Sequence, residues 1–161
     1  MKLWIIYKEG IVISKFIAEM IQDHLEDYVD TSVGNANKIE PSFLVEEKFD
    51  YLIIGDTISE TIPSLEIQNW VLKYGEISKA NNLVVKALSG FYVSLNDTKI
   101  EPFWVDFLKE NIRAEIIYPP ILSLKLKVID LTIANGVFGL VRSYSNDFIE
   151  FLINNKKKKK N

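Results

Sequence analysis

The chain has 161 residues, 48% of them hydrophobic, and a formal net charge of −3. That length supports one well-buried core and is too short for two ordinary domains. The lack of Cys excludes disulfides, thiol nucleophiles and cysteine metal ligands, and with His24 the only histidine a structural zinc site is not expected.

The first element is the continuous apolar run Leu3 to Tyr7, which suits a strand buried on both faces of a parallel sheet. Ile13, Ile17, Met20, Ile21 and Leu25 then recur at helical spacing and predict a helix over about Val12 to Glu26. Tyr28 to Val33 reads as a weaker strand and Gly34 to Pro41 as a loop, after which Pro41 opens a short helix to Lys48. Phe49 to Ile54 is a second buried strand, ended by Gly55-Asp56. Beyond Pro63, the spacing of Ile67, Trp70, Val71 and Tyr74 marks an amphipathic helix.

Asn82 to Leu88 is the fourth strand, followed by a connection from Ser89 to Glu101. Pro102 starts a helix whose Phe103, Trp104, Phe107 and Leu108 share a face. Ala114 to Tyr118 is the fifth strand, stopped by Pro119-Pro120, and two helical stretches, Lys127 to Arg142 and Asp147 to Asn155, complete the chain. The apolar stretch Val128 to Val141 contains Asp130 and Asn135 and is shorter than the ~20 residues that a membrane-spanning helix needs.

Strands alternating with helices predict a three-layer α/β/α sandwich with right-handed crossovers. Ligands of such sheets bind beyond the carboxyl ends of the strands, where strand order reverses. Three loops then frame the candidate site: Lys8 to Ser14, Asp56 to Pro63, and Ser89 to Thr98.

The segment "KLWIIYKEGIVISKFIAEMIQDHL" resembles the first strand, loop and helix of flavodoxins, and "FDYLIIGDTISETIPSLEIQNWV" is similar to their third strand, loop and helix. "IRAEIIYPPILSLKLKVIDLTI" resembles the end of the subgroup that includes menaquinone-dependent protoporphyrinogen oxidase, with the fifth strand leading through a short extended piece into a last helix. The likeness runs from Lys2 to about Leu152. It implies a five-stranded parallel sheet in order 2-1-3-4-5. It also implies FMN as cofactor, electron transfer or oxidoreduction as activity, and a redox protein or quinone as partner.

By that resemblance the flavin phosphate faces a loop rich in hydroxyls, glycine and backbone N–H groups at a helix start. Here the loop holds Ile11-Val12-Ile13, keeps one hydroxyl at Ser14, and has Gly10 as its permissive turn residue. Lys8 and Lys15 bring compensating charge, and Glu9 opposes it. Thr57 and Ser59 in the second loop, and Ser89, Gly90 and Asn96 in the third, are the further cofactor-binding candidates. Phe91 and Tyr92 are the only aromatics placed for ring stacking, and strand-end packing is their equal alternative.

The thinned loop sustains a second reading, a scaffold that keeps the architecture without the ligand and serves as an interaction or regulatory module. A third is an atypical receiver domain, with Glu9, Asp56 and Ser89 as partial counterparts of its acids and hydroxyl. It ranks last because the fifth strand ends in Tyr118-Pro119-Pro120 with no Lys, and Asp56 stands one place late. No phosphate-binding G-x-x-x-x-G-K-[ST] loop, G-x-G-x-x-G fingerprint or G-x-S-x-G elbow occurs. His24 reads as a structural helix residue, and Asp56 with Glu60 as solvated loop acids rather than a cation site.

Lys156 to Lys160 supply five of the 19 basic residues, and the remainder sets 14 basic side chains against 22 acidic, a net of −8. An acidic body does not suit a nucleic-acid groove. Residues 155–161 read as a disordered, solvated tail after a domain of residues 1–154, with weak peripheral attraction to anionic membranes as the secondary expectation. The N-terminus lacks the pattern of a secretory signal, which points to a cytoplasmic protein.

Overall fold

A computed structural model describes residues 1–8, 13–58, 62–94, 101–125 and 136–158, the side chains of 101, 102 and 158 aside. In chain order the elements are β1 (Lys2–Tyr7), α1 (Ile13–Leu25), β2 (Asp30–Asn35), α2 (Pro41–Glu47), β3 (Tyr51–Ile58) and α3 (Leu65–Ala80). They continue as β4 (Val85–Ser94), α4 (Glu101–Asn111), β5 (Ala114–Ile117), β6 (Leu122–Lys125) and α5 (Gly136–Lys158). All strands pair in parallel, in the order β2-β1-β3-β4-β5, with β6 also on β4. The expected order is the order found. Among the described residues no helix is long and apolar enough to cross a membrane.

The unbroken apolar runs of β1 and β3 follow from burial on both faces. Leu3, Ile5 and Tyr7 join Tyr51 and Ile53 under α1 and α5, while Trp4 and Ile6 join Leu52 and Ile54 under α2, α3 and α4. Truncating a fully buried member such as Ile53 to Ala costs about 2–5 kcal/mol, because the cavity adds to the lost transfer energy.

Two strands run further than the sequence suggests. β3 passes through Gly55-Asp56 to Ile58, and β4 passes through Ser89-Gly90 to Ser94. In both places glycine serves close packing rather than a turn. Gly55 sits in register with Phe91, and a Cβ there would lie 2.1 Å from the Phe91 ring. A Cβ at Gly90 would lie 2.6 Å from the Ile54 carbonyl oxygen. Ser89, Gly90, Phe91 and Tyr92 are therefore strand residues, not members of a third loop.

The edge beyond β4 is shared. β5 pairs with Val85 to Leu88 and β6 with Phe91 to Ser94, and Pro119-Pro120, which cannot donate to a ladder, fall between them. At the other end of the chain, α5 continues unbroken from Gly136 through Lys158, so the lysine run begins inside a helix. Lys156 Nζ there donates to the Tyr28 carbonyl at 3.1 Å. The part of the predicted helix that covers residues 127–135 lies outside the described residues.

Candidate functional site

Alternation along β3 sends neighbouring residues at its carboxyl end to opposite layers. Thr57 turns toward α1, where its Oγ1 shares a hydrogen bond with Ser14 Oγ. Ser14 is fully buried in the first turn of α1. The two hydroxyls thus meet where a helix of 13 residues presents its positive end and the N–H groups of its first turn, which have no partner within the helix. Such a terminus is a natural seat for a phosphate, and since the bond between the two hydroxyls uses one of their protons, the other is left to turn toward an anion.

Asp56 turns the other way, toward α3. Its Oδ1 accepts from Thr57 N at 2.9 Å and from Ser64 Oγ at 2.9 Å, and its Oδ2 accepts from Ser64 N at 2.7 Å. Ser64 caps α3, accepting from Ile67 N at 3.4 Å, so one carboxylate ties the end of β3 to the start of that helix. Burial pushes the Asp56 carboxyl up to about 6, against its bonds from Ser64 and Thr57 and the charge of Lys8, all of which favour the ionised form.

Lys8, the residue after β1, lies on the α3 side of the same edge and pairs with Glu66 at 3.4 Å. With Thr57, Ser64, Glu66 and Gln68 it borders a depression of about 420 Å³. Lys15 instead pairs with Glu19 along the exposed face of α1. Of the two lysines near the first loop, Lys8 is thus the one beside the site.

The remaining described candidates lie elsewhere. Ser89 is fully buried, donating to the Pro119 carbonyl at 2.7 Å and accepting from the Tyr144 hydroxyl at 2.8 Å, so it joins β4 to α5. Phe91 and Tyr92 belong to the two cores, at 0% and 3% exposure, and neither presents a ring face to a ligand. Gly90 is packed against the β3 backbone. Gly10, Ser59 and Asn96 lie outside the described residues. Among the six described candidates, Ser14 and Thr57 are the pair whose side chains meet at the strand ends.

Ser64 and the lock it forms with Asp56 were missed in the sequence. The signal was a Ser directly ahead of Leu65-Glu66-Ile67, a capping pattern, together with the one acid at the end of an apolar strand. For FMN the donor set fits at the phosphate end, through the hydroxyl pair and the helix start. At the ring end no aromatic among the described residues is placed for stacking, since Phe91 and Tyr92 are core residues.

No family model and no curated protein matches the sequence. Solved structures do. The rubredoxin oxygen:oxidoreductase of Desulfovibrio gigas is similar with a TM-score of 0.74 and 10% identity over 94% of this chain and 36% of that one. A flavodoxin from the domain Archaea gives 0.71 and 16%, and oxidised flavodoxin 2 of Bacillus cereus 0.71 and 15%, each over 94% of this chain and 99% of the other. The chain spans about a third of the oxygen oxidoreductase and nearly the whole of each flavodoxin. At these identities the likeness shows the fold, which is flavodoxin-like.

Proposed function

We propose that the chain is a flavodoxin-like redox module that holds FMN by its phosphate and takes part in electron transfer or oxidoreduction. The observation that carries this reading is the convergence of the Ser14 and Thr57 hydroxyls at the start of α1. Bound FMN supplies the one- and two-electron chemistry, and the protein supplies binding and orientation. Ser14 and Thr57 then bind the phosphate, and the Asp56–Ser64 lock holds the β3 end that carries Thr57. The flavodoxins among the similar structures support this reading through the shared fold.

The electron partner we propose is a redox protein or a quinone, in keeping with the resemblance to the quinone-linked subgroup. The location we propose is cytoplasmic, with Lys156 to Lys160 giving weak contact with anionic membranes. Deleting those lysines should abolish co-sedimentation with anionic vesicles at low salt, and unchanged co-sedimentation removes that contact from the proposal.

A second reading, a flavin-free interaction or regulatory module, is favoured by one specific observation: Phe91 and Tyr92 are buried in the cores. The receiver-like reading has less support, because both oxygens of Asp56 are engaged by Thr57 and Ser64. Quenching of FMN fluorescence by the purified protein separates the first two. The redox reading expects a dissociation constant in roughly the micromolar range, weakened in Ser14→Ala, and no quenching at high protein excess establishes the flavin-free module instead.

A further inference from the structure

The outer face of α4 is patterned in a way that the redox reading does not use. Phe103, Asp106, Phe107 and Glu110 stand at i, i+3, i+4 and i+7, a single stripe along the helix. All four border a trough of about 360 Å³ whose other wall includes Ile62 and Gln68, from the segment that leads into and begins α3. Phe103 is 60% exposed and Ile62 50%, large apolar surfaces left in water at one place.

Charge on α4 is sorted by flank. Asp106 and Glu110 border the trough and have no ion pair among the described residues, whereas Lys109 borders a different hollow with Arg113. The described residues that line the trough include no cation. Aromatic and acidic side chains thus alternate over roughly two helical turns, about 10 Å. That spacing complements a helix that carries apolar anchors and cations at the same period.

We infer that the α3–α4 trough is a docking site for a basic amphipathic helix of a partner protein. Its apolar residues would cover Phe103, Phe107 and Ile62, and its Lys or Arg side chains would meet Asp106 and Glu110. Charge complementarity selects this occupant. An acidic peptide is repelled by the two carboxylates, and an anionic membrane surface is repelled by the same pair. The trough shares Ile62 and Gln68 with the depression beside Lys8, so a partner seated there lies next to the candidate cofactor end.

The test uses the full chain and a fluorescein-labelled synthetic peptide of about 18 residues, Leu and Lys at helical spacing, with its Leu and Glu counterpart as control. Fluorescence anisotropy at low salt should show saturable binding of the Lys peptide and none of the Glu peptide. The double variant D106K/E110K should weaken binding roughly tenfold and Phe103→Ser several-fold, as expected where a few anchors dominate an interface. The double variant D23K/E26K makes the same change of charge on the exposed end of α1 and should leave affinity within about twofold. All the substituted residues are exposed, so circular dichroism should report unchanged folding. Failure of the Lys peptide to bind, equal weakening by the two charge-reversal pairs, or wild-type affinity in Phe103→Ser would each overturn the assignment.

Discussion

β3 has an aspartate at each end, and the two are treated in opposite ways. Asp50, just ahead of the strand, receives the Lys86 ammonium on Oδ1 and the Lys2 N–H on Oδ2 at 3.0 Å. Burial raises its carboxyl, but Lys86 and the Lys2 N–H outweigh that and hold it below the usual aspartate range. Asp56, at the carboxyl end, is fully buried, takes its bonds from neutral donors, and is held above that range. The amino-terminal edge of the sheet thus has its charge matched by cations. The carboxyl-terminal edge keeps a buried, poorly compensated charge beside the Ser14–Thr57 pair, the arrangement more often found where a protein binds something.

The largest consequence is in pH dependence, with opposite signs at the two ends. For Asp56 the folded value, about 6, exceeds the ordinary 3.8. Its contribution to stability is therefore fully present below 3.8 and is lost as pH rises through about 6, by up to about 3 kcal/mol. Asp56→Ala should accordingly cost most in mild acid, where the buried carboxyl is uncharged, and the gap to wild type should narrow by up to about 3 kcal/mol toward neutral pH. Chemical denaturation at a series of pH values measures both. A gap that widens with pH would show that the hydrogen bonds, not burial, set the state of Asp56.

For Asp50 the folded value is depressed, so its contribution is present above 3.8 and is lost as pH falls below it. Lys86→Ala should cost about 1 kcal/mol at neutral pH, the range of a partly exposed ion pair, and added salt should reduce the loss. Ser14→Ala should cost a similar ~1 kcal/mol in stability, since it leaves Thr57 Oγ1 without its partner. Its larger effect should fall on FMN affinity. Glu66→Gln should shift stability by less than about 0.5 kcal/mol, because the pair with Lys8 is exposed on the Glu66 side, and should raise FMN affinity a few-fold by releasing the Lys8 charge.

The two edges also differ in how readily the sequence disclosed them. The starts of β1 and β3 and the periodicity of α1 and α3 were legible because burial on two faces or one leaves a repeating apolar pattern, as in Leu3 to Tyr7 or Ile67, Trp70, Val71 and Tyr74. The far ends were not. Gly55-Asp56 and Ser89-Gly90 have the composition of turns, yet Gly55 makes room for the Phe91 ring and Gly90 for the Ile54 carbonyl, contacts between strands far apart in the chain. β6 was legible only as a short extended piece after the fifth strand, since nothing local indicates that the chain returns to the β4 edge after Pro119-Pro120. The meeting of Ser14 with Thr57 is likewise a product of strand order, because 43 positions separate them. Their residue types were readable as candidates, and their convergence was not.

If the Ser14–Thr57 end binds a phosphate, FMN and riboflavin should differ in affinity, because the two ligands differ only in that group. Titration of the wild-type protein with each, followed by fluorescence quenching, should show FMN bound at least tenfold more tightly than riboflavin, equivalent to about 1.4 kcal/mol or more for the phosphate. Ser14→Ala should narrow that ratio. Equal affinities for the two ligands, or no binding of either, would show that this end holds no phosphate.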